Sequence, residues 1–127
     1  MLRRLLPLAL AAALSCAGAR PPPSGTDDAA AREVLGRFAR AVHAGRWEEA
    51  DALLSARWRA THGPGRLALD YRGAGPAARE AAERVARALD AGAPIAHLAG
   101  QARLAVGEAR AAVLVLEPGG WRVDALE

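Results

Sequence analysis

Several residue types that usually carry structure or chemistry are scarce in this sequence. It contains a single cysteine, Cys16, so no disulfide can form within the chain. It has no phosphate-binding P-loop, no dinucleotide fingerprint and no G-x-S-x-G nucleophile motif. These absences exclude a disulfide-stapled domain and give no support to nucleotide binding or to serine-nucleophile catalysis.

Lysine is missing altogether, and all 17 basic residues are arginine. The arginines are spread along the chain and mixed with Asp and Glu, whereas a nucleic-acid site needs a basic patch or stripe. Arg3 and Arg4 lie in the leader described below, so its removal lowers the formal net charge from +3 to +1. We therefore expect no nucleic-acid partner.

Long apolar runs are also missing, because the longest, Leu5 to Leu14, covers only ten residues. A spanning helix needs roughly 20 residues to cross the hydrocarbon core. A short positive segment with Arg3 and Arg4, this apolar run and the small residues after it have the layout of an export signal. An A-x-A-like site at Ala17–Ala19 would give a freely secreted protein.

The stretch Ala13-Leu14-Ser15-Cys16 places the only thiol directly after the apolar run. It resembles the lipobox of bacterial lipoproteins. The resemblance implies a signal peptide over residues 1–15, cleavage between Ser15 and Cys16, and palmitate-like acyl chains on Cys16 that hold the protein at the bilayer. Ala17 lacks the acidic character that retains many lipoproteins at the inner membrane, so we expect an outer-membrane protein facing the periplasm.

Residues 16–26 read as a lipidated cysteine followed by a proline-rich tether, because Pro21-Pro22-Pro23 favours an extended chain. Residues 27–127 are long enough for one domain with one core. Apolar residues at three- and four-residue steps predict a helix from about Asp27 to Ala44, with Thr26 as its N-cap and Gly45 as its C-cap. The same spacing predicts a second helix over Trp47–Thr61, and Pro76 begins a third that ends before Gly92.

The last third of the chain has the alternation and turn residues of strands. We predict strands at Ile95–Val106, Ala109–Glu117 and Trp121–Leu126, joined by short turns and therefore antiparallel. Leu67–Tyr71 is a further short candidate strand between the second and third helices. The predicted fold class is α+β, with three helices packed on a curved antiparallel sheet of three to four strands.

Two segments, "FARAVHAGRWEEADALLS" and "GGWRVDAL", stand at the start and the end of this element order. They resemble the opening helices and the last strand of the nuclear-transport-factor-2-like superfamily, which includes ketosteroid isomerases and polyketide cyclases. The resemblance covers residues 27–127 and implies a cone-shaped domain with an interior pocket. In its enzymes an acid/base residue lies inside the cone, and a carboxylate base in an apolar site is one form of it.

Asp70 and Tyr71 are the best polar candidates for such a pocket, because they lie beside glycine-rich turns where a mouth can form. As neighbours on a strand they would point to opposite faces. His97 lines a pocket or the surface, depending on the strand register. Trp58, between Arg57 and Arg59, is placed to stack on a ligand or partner, whereas Trp47 and Trp121 are expected in the core.

No metal or cofactor is expected, because His43, His62 and His97 lack partners at metal-ligand spacing. The resulting hypothesis is a lipid-anchored envelope protein whose domain is a non-catalytic binding or accessory module for a small molecule or an envelope protein. One alternative is a small isomerase- or cyclase-like enzyme that uses Asp70 or His97. Another is a structural envelope component that self-associates, for example as a homodimer.

Overall fold

The computed structural model describes residues 27–63, 65–73 and 75–127, which form an α+β arrangement. Its helices are α1 (Asp28–Ala44), α2 (Trp47–Ala52), α3 (Ala56–His62), α4 (Arg66–Gly73) and α5 (Gly75–Asp90). Its strands are β1 (Ile95–Leu98), β2 (Gln101–Gly107), β3 (Arg110–Glu117) and β4 (Gly120–Leu126). The α+β class is confirmed, but these residues form five helices rather than three. None of the described helices is long and apolar enough to cross a membrane. Ser15, Cys16 and the tether lie outside the described residues.

Helix α1 follows the predicted apolar spacing closely. Its buried face contains Leu35, Phe38 and Val42. The N-cap is Asp27 rather than Thr26, because the Asp27 carboxylate accepts a hydrogen bond from the backbone N–H of Ala30 at 3.0 Å. Gly45 ends the helix with a positive φ of 71°, as a left-handed C-cap requires.

The single helix predicted over Trp47–Thr61 is wrong, because the chain breaks between α2 and α3. Around the break, Ser55 N–H donates to the Val123 carbonyl and Val123 N–H donates to the Leu53 carbonyl, both at 2.8 Å. These bonds attach the break to β4 as a short parallel bridge. Ser55 then restarts the helix, since its hydroxyl accepts the N–H of Trp58.

The strand predicted over Leu67–Tyr71 is also wrong, since these residues lie inside α4. Alternating apolar residues in such a short segment do not separate helix from strand. In the structure Leu67 is buried and Leu69 is exposed. Arg66 and Asp70, four residues apart, form an ion pair along the helix.

The sheet has the order β1-β2-β3-β4, with every neighbouring pair antiparallel. The expected strand Ile95–Val106 is divided into β1 and β2 by a two-residue turn at Ala99 and Gly100. Both turn residues have positive φ, 35° and 77°, which the tight turns of β-hairpins favour. The described residues therefore form four strands, which is the upper end of the predicted range of three to four.

Two irregularities bend the sheet, one in β2 near Ala105 and one in β4. In β4 the partners of Val113 and Leu114 are Ala125 and Val123, so Asp124 is the extra residue of a bulge. The helices α1 and α5 cover one face of the sheet. Trp121 is almost fully buried at this interface, as predicted, and Trp47 is partly buried against the same core.

Candidate functional site

A cleft of about 220 Å³ opens where α3, α4 and β4 meet α1. Its floor is apolar and is formed by buried or partly buried side chains: Phe38, Leu54, Leu67, Val123 and Leu126. The polar residues along its walls are Asp70 on α4 and Asp124 on β4, and Trp58 adds an aromatic wall from α3. The cleft therefore combines an apolar interior with two carboxylates.

Asp124 belongs to a hydrogen-bond network that joins β4 to α3. Its side chain accepts the Ser55 hydroxyl at 2.7 Å, and it accepts Arg57 through both oxygens, from Nε at 3.1 Å and from Nη2 at 2.7 Å. Asp124 is only 8 % exposed, and Ser55 is fully buried. A buried carboxylate needs such partners, because desolvating an unpaired charge is costly.

The Arg57 guanidinium lowers the pKa of Asp124 below its ordinary value by donating hydrogen bonds to the ionised form. Burial of the carboxyl acts in the opposite direction and raises this pKa, while the Ser55 hydroxyl adds a further lowering. Asp124 is thus held as a carboxylate, fully engaged by its two partners.

Asp70 is held differently. Its Oδ1 accepts Arg66 Nε at 2.7 Å, and the carboxyl side chain remains 42 % exposed. Oδ2 of Asp70 accepts no hydrogen bond from any residue that the structure describes. One oxygen at the edge of the cleft is therefore free to accept a hydrogen bond from a ligand.

Trp58 supplies the aromatic surface of the cleft. Its ring is partly buried against the core and lies with its centroid 4.1 Å from that of His62, at an interplanar angle of 39°. The backbone N–H of Trp58 is fixed by Ser55, so the same capping serine orients both Trp58 and Asp124.

The predicted pocket residues are only partly brought together. Trp58 and Asp70 line the same cleft, whereas His97 does not. Tyr71 lies in α4 rather than on a strand, so the argument that it must face away from Asp70 does not hold; its side chain lies outside what the structure describes. Ser15 and Cys16, the predicted lipidation and cleavage residues, precede the described residues.

His97 is located between β1 and the start of α1. Its Nε2 contacts the carboxylate of Asp28, its side chain is 15 % exposed, and its ring centroid lies 5.8 Å from that of Trp121. Nδ1 of His97 and Nε1 of Trp121 are buried and have no hydrogen-bond partner in the described part of the chain. His97 therefore connects the edge strand to α1 and is separate from the cleft.

Asp124, Ser55 and Arg57 were missed by reasoning from the sequence. The sequence does contain one indication of a bulge at Asp124. Trp121 and Val123 are two residues apart, as apolar residues on one face of a strand are, but the next large apolar residue, Leu126, comes three residues later. A slip of one residue is what a bulge produces. Nothing local pairs residue 124 with residues 55 and 57, which lie almost 70 positions away.

Among residues 27–63, 65–73 and 75–127, no group of three or more His, Cys, Asp or Glu side chains is arranged to hold a metal ion. No protein-family model, no curated protein and no solved structure matches this chain.

Proposed function

We propose that this protein is a non-catalytic binding or accessory module of the bacterial envelope. In this proposal acyl chains on Cys16 anchor it to the membrane, with the domain facing the periplasm from the outer membrane. The cleft between α3, α4 and β4 takes a small ligand. The observation that supports a binding role is the apolar cleft itself. Its two carboxylates, Asp70 and Asp124, are both paired with arginines and are therefore poorly suited to act as catalytic bases.

The anchor is supported by the lipobox-like stretch Ala13–Cys16 and by the proline-rich segment that follows it. A single acyl chain gives marginal membrane binding, whereas several chains hold a protein stably. The tether of residues 16–26, at about 3.1 Å per residue when extended, would let the domain stand roughly 30 Å from the lipid surface.

A binding role is favoured over acid/base catalysis by the state of the carboxylates. Burial in an apolar enzyme site raises the pKa of a carboxylate base, although in some enzymes only modestly. The pKa of Asp124 is lowered instead, because Arg57 stabilises its ionised form. Asp70 is partly exposed and paired with Arg66, and His97 lies elsewhere. A non-catalytic module fits these features better than an isomerase or cyclase.

The fold that we propose is the cone of the nuclear-transport-factor-2-like superfamily. In support, two helices cover one face of the antiparallel sheet, and two bulges bend it. The cleft would then be the remaining opening of a cone largely filled by apolar side chains. Self-association, the alternative role, would use surface apolar residues such as Leu98, which is 73 % exposed.

The cleft sets the ligand class. Its volume lies below the roughly 300–1,000 Å³ of drug-sized pockets, so a molecule with one ring is the appropriate size. Both carboxylates are matched by arginines, which favours an uncharged ligand. Trp58 provides a stacking face, and Oδ2 of Asp70 accepts one hydrogen bond. A phenol-type molecule has one ring, no charge and one O–H donor, so it matches the size, the charge and the polar group of the cleft.

The binding proposal is tested by calorimetric titration of 4-methylphenol into the full chain carrying Cys16→Ser. Trp58→Leu should weaken binding roughly tenfold, and 4-methylanisole, which lacks the donor, should bind similarly weakly. Trp47→Leu is the matched control, because Trp47 is also partly buried but lies outside the cleft. Absence of binding, or equal losses in the two Trp variants, would overturn the ligand proposal.

The anchor is tested separately by the intact mass of the protein extracted from membranes, beside the Cys16→Ser variant. The expected mass is that of residues 16–127 plus acyl chains, lost in the variant. An unmodified chain beginning near Ala19 would contradict the anchor and leave a secreted binding domain.

A further inference from the structure

A second cavity lies between α1 and α5 and shares no lining residue with the cleft. Its volume is about 740 Å³, more than three times that of the cleft. The two helices pack against each other, and the cavity is a groove along their contact. We call it the α1–α5 groove.

The groove is lined by small residues, namely Gly36 and Ala39 from α1 with Ala82 and Ala86 from α5, and by Leu89 of α5. Gly36 lies close to the side chain of Arg40. A Cβ built there would lie 3.2 Å from Nη1 of Arg40 and 3.9 Å from Cδ1 of Leu89. The Arg40 side chain therefore folds back over Gly36 and places its guanidinium at the groove.

The α1 wall is basic, since it carries Arg32, Arg40 and His43, with Arg46 just beyond the helix. Arg32 donates to the Ala93 carbonyl at 2.7 Å, and Arg46 pairs with Glu49. Arg40 takes part in none of the ion pairs of the described residues. The acidic lining residues, Glu83 and Asp90, belong to the opposite wall. Arg40 is thus a lining arginine without an ion-pair partner among the described residues, and it lies beside small apolar side chains.

We propose that the α1–α5 groove binds a single-chain amphiphile with a carboxylate headgroup, that is, a fatty acid. The planar fork of Arg40 matches a carboxylate with two parallel hydrogen bonds. The chain would lie along Gly36, Ala82 and Ala86, where small side chains leave a trough, and would bury apolar surface against Leu89. The volume falls within the range of sites for molecules of this size.

The test is a calorimetric titration with decanoate, below its micellar concentration, into the full chain carrying Cys16→Ser. That substitution removes any acyl chain that the protein itself could place in the groove. Arg40→Gln should weaken binding roughly tenfold, because a charge-assisted pair is lost. Arg37→Gln, an exposed arginine of the same helix outside the groove, should change binding less than twofold.

A second pair of variants tests the trough. Ala86→Phe should weaken decanoate binding at least tenfold by filling it, whereas Ala77→Phe, exposed on α5 outside the groove, should leave binding unchanged. Circular dichroism of each variant checks that its helices are retained. Decyl maltoside, which has a ten-carbon chain and no charge, should bind at least tenfold more weakly than decanoate.

Four results would overturn the proposal. These are no binding of decanoate, equal affinity for decyl maltoside, and equal losses in Arg40→Gln and Arg37→Gln. The fourth is binding of inorganic phosphate or of phosphatidylglycerol vesicles without binding of decanoate, which would assign the groove to a free anion or to a membrane surface. None of these outcomes changes the test of 4-methylphenol in the cleft.

Discussion

The two walls of the cleft hold a carboxylate in opposite ways. On the β4 wall, Asp124 is buried in a bulge and is engaged by Ser55 and Arg57 from across the chain. On the α4 wall, Asp70 is half exposed and is paired with Arg66 one helical turn away. The shortest N···O distance is 2.7 Å in both pairs, so this distance alone does not distinguish them.

The difference lies in solvation and in what each pair connects. Water screens the Arg66–Asp70 pair, and exposed i,i+4 pairs contribute only a few tenths of a kcal/mol. Asp124 has lost most of its water, so its hydrogen bonds replace hydration and join a helix to a strand. The β4 wall should be a fixed structural wall, whereas the α4 wall keeps an accessible oxygen for a ligand.

Replacing the two aspartates gives the largest expected contrast. Asp124→Ala should lower the free energy of unfolding by about 2 kcal/mol, because several hydrogen bonds to a charged group are lost. Asp70→Ala should cost at most about 0.5 kcal/mol. Urea denaturation of the unacylated chain measures both, and comparable losses would remove the distinction between the walls.

Ser55→Ala should have the next largest effect. Its hydroxyl caps α3 and also donates to Asp124, so its loss should cost roughly 1–2 kcal/mol. Thr61→Ala is the control, since the Thr61 hydroxyl only donates to the Arg57 carbonyl on the exposed side of α3. If both variants lost the same stability, Ser55 would not connect the helix to the β4 wall.

The contribution of Asp124 should also depend on pH. Its folded-state pKa lies below the unfolded value of about 3.9, so the stabilisation is complete above that pH and is lost as the pH falls through the folded pKa. The stability gap between the native chain and Asp124→Asn, about 1 kcal/mol at pH 7, should therefore narrow as the pH falls below about 3.9. Unfolding midpoints across this range measure the gap, and a constant gap would contradict the assigned role of Arg57.

The smallest expected effect is that of Arg66→Gln, which should cost about 0.3 kcal/mol because the pair is exposed and local. The loss should shrink at high salt, as screening removes the same contribution. A loss above about 1 kcal/mol would show that the α4 wall is as fixed as the β4 wall.

Local patterns predicted much of the helical layer and the meander. Apolar spacing located α1, and Gly45 marked its end, because both depend on residues within a few turns of each other. The patterns were wrong where local preference was ambiguous or overruled. Leu67–Tyr71 fits either a strand or a helix, and the helix expected through Ser55 is broken by hydrogen bonds to β4.

The same contrast between local patterns and long-range contacts explains which residues of the cleft could be predicted from the sequence. Trp58 and Asp70 could be selected from the sequence because an aromatic residue between arginines and an acid beside glycines stand out locally. Asp124 could not be selected, because its burial and its lowered pKa arise from Ser55 and Arg57, which are close only in the folded chain.

By itself the sequence determined the α+β class, the main helix and the antiparallel pairing of β2, β3 and β4, since periodicity and turn residues act over a few neighbours. It also supplied the stretch Ala13–Cys16, on which the proposed lipid anchor rests. Only the tertiary structure decided where α2 ends and α3 begins, which carboxylate is buried, and that Gly36 lies beneath Arg40 at a groove. These features depend on contacts between distant segments, which no local pattern encodes.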